Sequence, residues 1–279
     1  MIIDGHAHIY PEANAEKIIS SFTDLHRMQP TDSLGKGTID DLCGRMAESC
    51  TDYTVLANFA PVKNVDKVNS WTLGIAKEHP NIIPLVSVYP YMKEELLCEL
   101  FDKGAKGIKM HNGIQGYDPS DKGLDVVYHF CEKKNIPITF HCGETSRVHM
   151  NGYTDMSHII PVIKRYPGIT FVLTHLAAGD PETVLGIADQ CDNVIFDTSI
   201  TFTGEKCIYR IHDNYWEDDE NAVSAFKRIG FHRIAFGSDY PFGNPKSDIR
   251  RIKGLVISDE EKDLILGVNS MRLYKIGYN

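Results

Sequence analysis

The sequence predicts an α/β fold, a single (β/α)8 barrel of the TIM type with eight parallel strands and outer helices, and three observations carry that prediction. The chain has 279 residues, a length at which barrels of this class form one domain. Eight short apolar runs rich in Val, Ile and Phe alternate with longer segments of helical period, the pattern of parallel strands joined by crossover helices. Polar residues able to hold a cation recur at the C-terminal ends of several runs, the edge where such barrels build their sites.

The runs span residues 2–9, 53–59, 82–89, 107–111, 137–143, 170–177, 194–199 and 234–240. The third, Ile82-Ile83-Pro84-Leu85-Val86-Ser87-Val88, is apolar on both faces, as a strand must be when helices cover its outside and side chains fill the barrel within. Apolar residues recur at spacings of three and four over 65–77, 94–103, 124–133, 156–165, 181–190 and 220–229, which marks the outer helices. Helix-stop signals lead straight into the next strand at His79-Pro80-Asn81, Lys103-Gly104, Tyr166-Pro167-Gly168 and Ile229-Gly230. The first connection is the longest. A polar, Pro- and Gly-containing stretch at 29–37 separates two short helical segments and is the candidate for a lid over the barrel mouth. No repeat, low-complexity tract or linker marks a boundary, so 1–279 is read as one domain.

Composition narrows the function classes. A net charge of −9, with no basic stripe interleaved with aromatics, disfavours nucleic acid. No run approaches the roughly 20 apolar residues of a membrane helix. The N-terminus lacks the basic and apolar regions of a secretory signal, so a cytoplasmic location is expected. Seven cysteines (Cys43, Cys50, Cys98, Cys131, Cys142, Cys191 and Cys207) form no C-x-x-C pair and are read as reduced, mostly buried thiols. The expected partner is a small-molecule substrate, and a homodimer is compatible with the commonest oligomer symmetry.

Side chains alternate faces along a strand, so His6 and His8 in Asp4-Gly5-His6-Ala7-His8 point the same way from the end of the first run. An H-x-H pair alone is a weak signal. The fifth run, however, ends in His141, the sixth in Thr174-His175 and the eighth in Gly237-Ser238-Asp239, so potential ligands from distant chain positions share one barrel edge. Neutral imidazoles with a carboxylate form a donor set that Zn2+ and similar cations accept. Asp197 and Ser199 end the seventh run on one face, where they line the mouth or cap the next segment; Cys142 points away from His141 toward the helices. The Trp216-Glu217-Asp218-Asp219-Glu220 run reads as a helix start.

Taken in order, Asp4-Gly5-His6-Ala7-His8, Gly107-Ile108-Lys109-Met110-His111, His141-Cys142-Gly143-Glu144, Thr174-His175, Phe236-Gly237-Ser238-Asp239-Tyr240-Pro241 and a closing Gly267-Val268-Asn269-Ser270-Met271-Arg272-Leu273-Tyr274 resemble the amidohydrolase superfamily over nearly the whole chain. The likeness is to the branch that includes aminocarboxymuconate-semialdehyde decarboxylase and pyrone dicarboxylate lactonase. The resemblance implies that His6, His8, His141 and Asp239 bind a divalent metal, with zinc the expected ion. His175 either joins them or sits beside them as acid, base or electrophile, the second role being favoured. Asp239 and His175 are the candidate catalytic residues: Asp239 would take a water's proton and pass it on, and His175 would steady a developing oxyanion or donate a proton to it.

Lys109 shares a strand face with His111. In two-metal members of the superfamily a carboxylated lysine of that strand bridges the ions. The Lys-x-His form after Gly-Ile resembles the one-metal branch more, where a cationic Lys109 would meet an anionic substrate, so one ion is favoured over a Lys109-bridged pair. Lys109, His111, Glu144 and Arg147 are the candidate substrate-binding residues, the last two in the loop after the fifth run. The expected activity is hydrolysis of an amide, ester or lactone of a small carboxylated molecule by metal-activated water. A decarboxylase on the same site is the alternative, and a catalytically idle barrel acting as a binding protein is the alternative of another class.

Overall fold

The computed structural model describes residues 1–25, 34–143, 152–205 and 214–277. Eight strands follow one another around a single sheet: β1 (Ile3–Ala7), β2 (Tyr53–Leu56), β3 (Ile82–Ser87), β4 (Gly107–Met110), β5 (Ile138–Phe140), β6 (Phe171–Leu173), β7 (Val194–Asp197) and β8 (Ile234–Ala235). All seven successive pairs are parallel. The ring closes where β1 meets the chain at and just beyond β8: Ala7 bridges to Tyr240, Gly5 N donates to Phe236 O at 2.9 Å, and Asp239 N donates to His6 O at 2.8 Å. This is the (β/α)8 barrel the alternating pattern predicts, with helices outside it.

The six helices expected from periodicity form over Val65–Glu78, Glu94–Asp102, Asp125–Lys134, Met156–Arg165, Pro181–Gln190 and Asp219–Ile229. Their ends follow local chemistry. Asp180 accepts from Thr183 N at 2.9 Å ahead of Pro181, Asp218 accepts from Glu220 N and Asn221 N, and Asn135 ends its helix in the left-handed region, each satisfying or terminating an open helix end.

Two further helices, Glu12–Leu25 and Ile39–Ser49, flank the long first connection. Residues 26–33, which include 29–33 of the predicted lid, lie outside the described residues. Its far end is pinned to the loop after β8: Gly35 N donates to Pro241 O at 2.8 Å, Gly37 N to the Tyr240 hydroxyl at 3.1 Å, and that hydroxyl to Asp41 at 2.7 Å. The helix Pro245–Gly254 has no clear apolar period in sequence, its buried apolar side chains being few. Tertiary contacts hold it instead, through Arg251 bonds to Thr203 O and Trp216 O at 2.7 Å, to Asp219, and a cation–π contact 3.9 Å over Phe202.

The interior is filled from below. Ile3, Val55, Ala57, Ile83 and Leu85 pack with Tyr274 and Ile276, and the Tyr274 hydroxyl lies 3.4 Å from Thr139 Oγ1 on β5. A side chain touching β1 to β3 and β5 together stands inside the ring, so the C-terminal helix Asn269–Tyr274 plugs the end opposite the mouth.

Every strand stops short of the apolar run that predicts it, chiefly at its C-terminal end. Beyond β8, for example, the backbone leaves the ladder and bonds to β1 instead, which turns Asp239 toward the mouth. Residues 174–177 of the sixth run are not strand: His175, Leu176, Ala177 and Ala178 all have positive φ, from 46° to 74°. Of the six described cysteines, all free, Cys131, Cys142 and Cys191 are buried, whereas Cys50 and Cys98 are exposed and Cys43 is partly so. The expectation of mostly buried thiols therefore fails at Cys50, which ends a helix, and at Cys98, on a helix's solvent face; Cys207 lies outside the described residues. Among the described residues no helix is long and apolar enough to cross a membrane.

Candidate metal centre

β1 delivers the first two imidazoles. A register shift between Asp4 and Ala7 re-aims the strand end, and His6 Nε2 comes 3.1 Å from His8 Nε2. Gly5 is required at the seam, since a Cβ there would come within 2.8 Å of Phe236 O. Asp239 reaches the same point from the loop after β8, with Oδ1 3.2 Å from His8 Nε2 and 3.5 Å from His6 Nε2. Asp4 ties these segments together, accepting from Ser238 N at 2.9 Å, Ser238 Oγ at 2.5 Å and His6 N at 3.2 Å.

β4 places Lys109, fully buried, with Nζ 3.1 Å from His6 Nε2. His111 stacks flat on His141, ring centroids 3.9 Å apart and planes 9° from parallel. Phe59, at the end of the second run, packs its ring against both His8 and His111 and forms an apolar wall.

β6 and β7 bring the rest. His175 Nε2 lies 3.3 Å from His141 Nδ1, while its Nδ1 faces Ser199 Oγ at 2.9 Å and Ser199 O at 3.2 Å. Asp197 stands behind both sides of the site: Oδ2 is 2.9 Å from His6 Nδ1, and Oδ1 accepts from His175 N and Ser199 N at 3.0 Å each and from Ser199 Oγ. His175 opens a left-handed turn running to Gly179, held by Thr201 Oγ1 on His175 O and by Trp216 Nε1 on Gly179 O.

Left-handed backbone costs a non-glycine residue roughly 1–2 kcal/mol. Ala178→Gly relieves that cost at φ 74° and adds about 0.4–1 kcal/mol of chain entropy to the unfolded state. Thermal unfolding of Ala178→Gly is therefore expected at the wild-type temperature or slightly above it. The same change in a right-handed helix costs about 1 kcal/mol, and a loss of that size here would contradict the turn.

Burial governs the charges. It lowers His6 to about 4, helped by the neighbouring Lys109, lowers His8, and drives His111 and His141 well below the usual histidine range. Lys109 falls to about 8 for the same reason, against the pull of Asp197 and Asp239. Burial alone would raise the two aspartates, but His6 and hydrogen bonds from Ser199 and His8 hold Asp197 and Asp239 below the usual carboxylate range. Near neutrality the pocket thus offers uncharged imidazoles beside ionised carboxylates, the donor set of a divalent-cation site.

That set fits a cation. One nitrogen each of His6 and His175 and one oxygen of Asp239 lie within 4.8 Å of one another, all three residues buried. His8 Nε2 faces the same point, 3.1 Å from His6 Nε2, and His141 Nδ1 lies 3.3 Å from His175 Nε2. The structure brings together His6, His8, Lys109, His111, His141, His175 and Asp239, and a nitrogen of His175 lies within 4.8 Å of the ligand atoms of His6 and Asp239. Glu144 and Arg147 lie outside the described residues. Sequence reasoning understated Asp197 and missed Phe59; their only signal was position at strand ends.

A family model described as amidohydrolase matches residues 3–276. No curated protein matches the sequence. Among solved structures, an uncharacterized TIM-barrel protein from Bordetella bronchiseptica shares 20% identity at a TM-score of 0.76, with 98% of each chain covered. A 5-carboxyvanillate decarboxylase from Novosphingobium aromaticivorans, with bound manganese, shares 13% at 0.73 over 99% of this chain and 97% of that one. A putative 2-pyrone-4,6-dicarboxylic acid hydrolase from Pseudomonas putida shares 16% at 0.71 over 100% and 98%. Similarity at these identities speaks for the fold, whereas the family model spans almost the entire sequence: the chain belongs to the amidohydrolase family.

Proposed function

We propose that this chain is a metal-dependent hydrolase acting on an ester, lactone or amide bond of a small carboxylated molecule. The observation that carries the reading is the ionised Asp239 carboxylate set 3.2 Å from His8 Nε2 and 3.5 Å from His6 Nε2 in a pocket of neutral imidazoles. A divalent cation held by His6, His8, His141 and Asp239, zinc or manganese by donor chemistry, would acidify water and polarise a carbonyl. Asp239 accepts the proton of the attacking water and returns it to the leaving group. His175, its Nδ1 engaged by Ser199, turns Nε2 to the same space, as a further ligand or proton acceptor. Lys109 is the one cationic side chain among the described residues at this point, and it pairs with the substrate's carboxylate, while His111 and Phe59 form the wall against its carbon skeleton.

Lys109 also favours a second reading, decarboxylation, in which it holds a carboxylated substrate as carbon dioxide leaves. The fold shared with a manganese-containing 5-carboxyvanillate decarboxylase supports that alternative. A panel of small lactones, esters and amides, assayed beside unsaturated carboxylic acids with added Zn2+ or Mn2+, separates the two. Hydrolysis of panel members is expected; carbon dioxide release with no hydrolysis would replace the first reading by the second. On the best substrate, Lys109→Met is expected to raise KM about 10- to 100-fold, the loss of one charge-assisted hydrogen bond of roughly 1.5–3 kcal/mol. An unchanged KM would remove Lys109 from substrate binding.

A further inference from the structure

We infer that Asp197 is a positioning residue that fixes the tautomers of His6 and His175, so that both rings present an unprotonated Nε2 to the cation. This rests on the metal-dependent reading above. An ionised carboxylate only accepts, so the contact between Ser199 Oγ and Asp197 Oδ1 uses the single hydroxyl proton of Ser199. Ser199 Oγ then has only lone pairs to offer His6 Nδ1 at 3.1 Å and His175 Nδ1 at 2.9 Å. The other neighbours of these nitrogens are acceptors too: Asp197 Oδ2, 2.9 Å from His6 Nδ1, and Ser199 O, 3.2 Å from His175 Nδ1. Each ring therefore carries its proton on Nδ1.

A neutral imidazole has one N–H, which leaves Nε2 as the free donor atom on both rings. His6 Nε2 faces Asp239, His8 and Lys109, and His175 Nε2 faces His141. One carboxylate on β7 thus orients ligand atoms from β1 and from the turn after β6. A carboxylate behind a metal-binding histidine raises the basicity of the ring and fixes its orientation. Asp197 does this for two rings, one directly and one through Ser199.

The test is nitrogen NMR of the histidine rings in metal-free, 15N-labelled protein, alongside titration with Zn2+ and Mn2+. The wild type is expected to show Nδ1–H on both His6 and His175. In Asp197→Asn the amide oxygen keeps the bonds from His175 N and Ser199 N, while its NH2 group faces His6 Nδ1 and can only donate. His6 then moves its proton to Nε2, and cation affinity falls about 10- to 100-fold. Ser199→Ala, which leaves Asp197 against His6 but removes its link to His175, is expected to keep Nδ1–H on His6 and to shift part of His175 to the Nε2–H form; an unchanged His175 would contradict the role of Asp197 there. An Nε2–H tautomer of His6 in the wild type, or an unchanged His6 in a folded Asp197→Asn, overturns the inference. If Asp197→Asn fails to fold, the wild-type and Ser199→Ala spectra decide it. The predicted tautomers in a protein that binds neither cation would uphold Asp197 and contradict the metal-dependent reading instead.

Discussion

Asp239→Asn is expected to lose the bound divalent cation and to lower turnover by about 10²- to 10⁴-fold, the contribution of a positioned general base, while unfolding close to the wild-type temperature. Among the described residues Asp239 supplies the only carboxylate within reach of His6 and His8 on the site side of the rings, so its removal leaves neutral donors there and no carboxylate to accept a proton. The backbone around it does not depend on the side-chain charge. Asp239 N donates to His6 O, Phe242 N donates to Asp239 O, and Asp4 holds the adjacent Ser238. Asparagine also tolerates the left-handed backbone, φ 60°, better than alanine does, so a loss of activity is separable from a loss of fold. Measurements of cation content, turnover and thermal unfolding on the same preparation check all three parts. Retained cation and turnover would remove Asp239 from the site.

The second large effect concerns stability and lies behind the site. Asp248 is 1% exposed; its Oδ1 accepts from Gly204 N at 2.7 Å, and Oδ2 has no hydrogen-bond partner. Burial, with the nearby Asp4, pushes its carboxyl up to about 8. The folded chain therefore binds a proton there between about pH 4 and 8 that the unfolded chain does not. Stability from this group is fully present below about pH 4, declines as pH rises, and is lost above about pH 8. Asp248→Asn cannot ionise, keeps an acceptor for Gly204 N, and avoids the loss. Its advantage over the wild type is expected to be small at pH 5 and to reach several kcal/mol, at most ~5, at pH 9. Denaturant unfolding at the two pH values measures it. An equal destabilisation at both would mean that Asp248 is held as an anion.

The parts of the molecule legible in the sequence are those governed by short-range periodicity. Alternation placed His6 and His8 on one side, and the ends of apolar runs placed His141, His175 and Asp239 at one edge, because strand direction in a parallel barrel is uniform. Asp197 was visible only as a strand-end residue. Its partnership with His6 depends on the way a ring brings residues 191 positions apart within 2.9 Å, which no local pattern encodes. The turn from His175 to Ala178 lies within the sixth apolar run and is not legible in it, because Thr-His-Leu-Ala-Ala contains no glycine to announce positive φ; a bond from His175 N to Asp197 and bonds from Thr201 and Trp216 impose it. The helix Pro245–Gly254 was missed for a related reason, since Arg251 and its distant partners hold it more than an apolar stripe does.

The most direct test of the metal centre is elemental analysis of protein purified without added metal or chelator. About one equivalent of zinc or manganese per chain is predicted, removed by a chelator together with activity and restored with it. A chain free of divalent cation that turns over its substrate equally well before and after chelation would contradict the account.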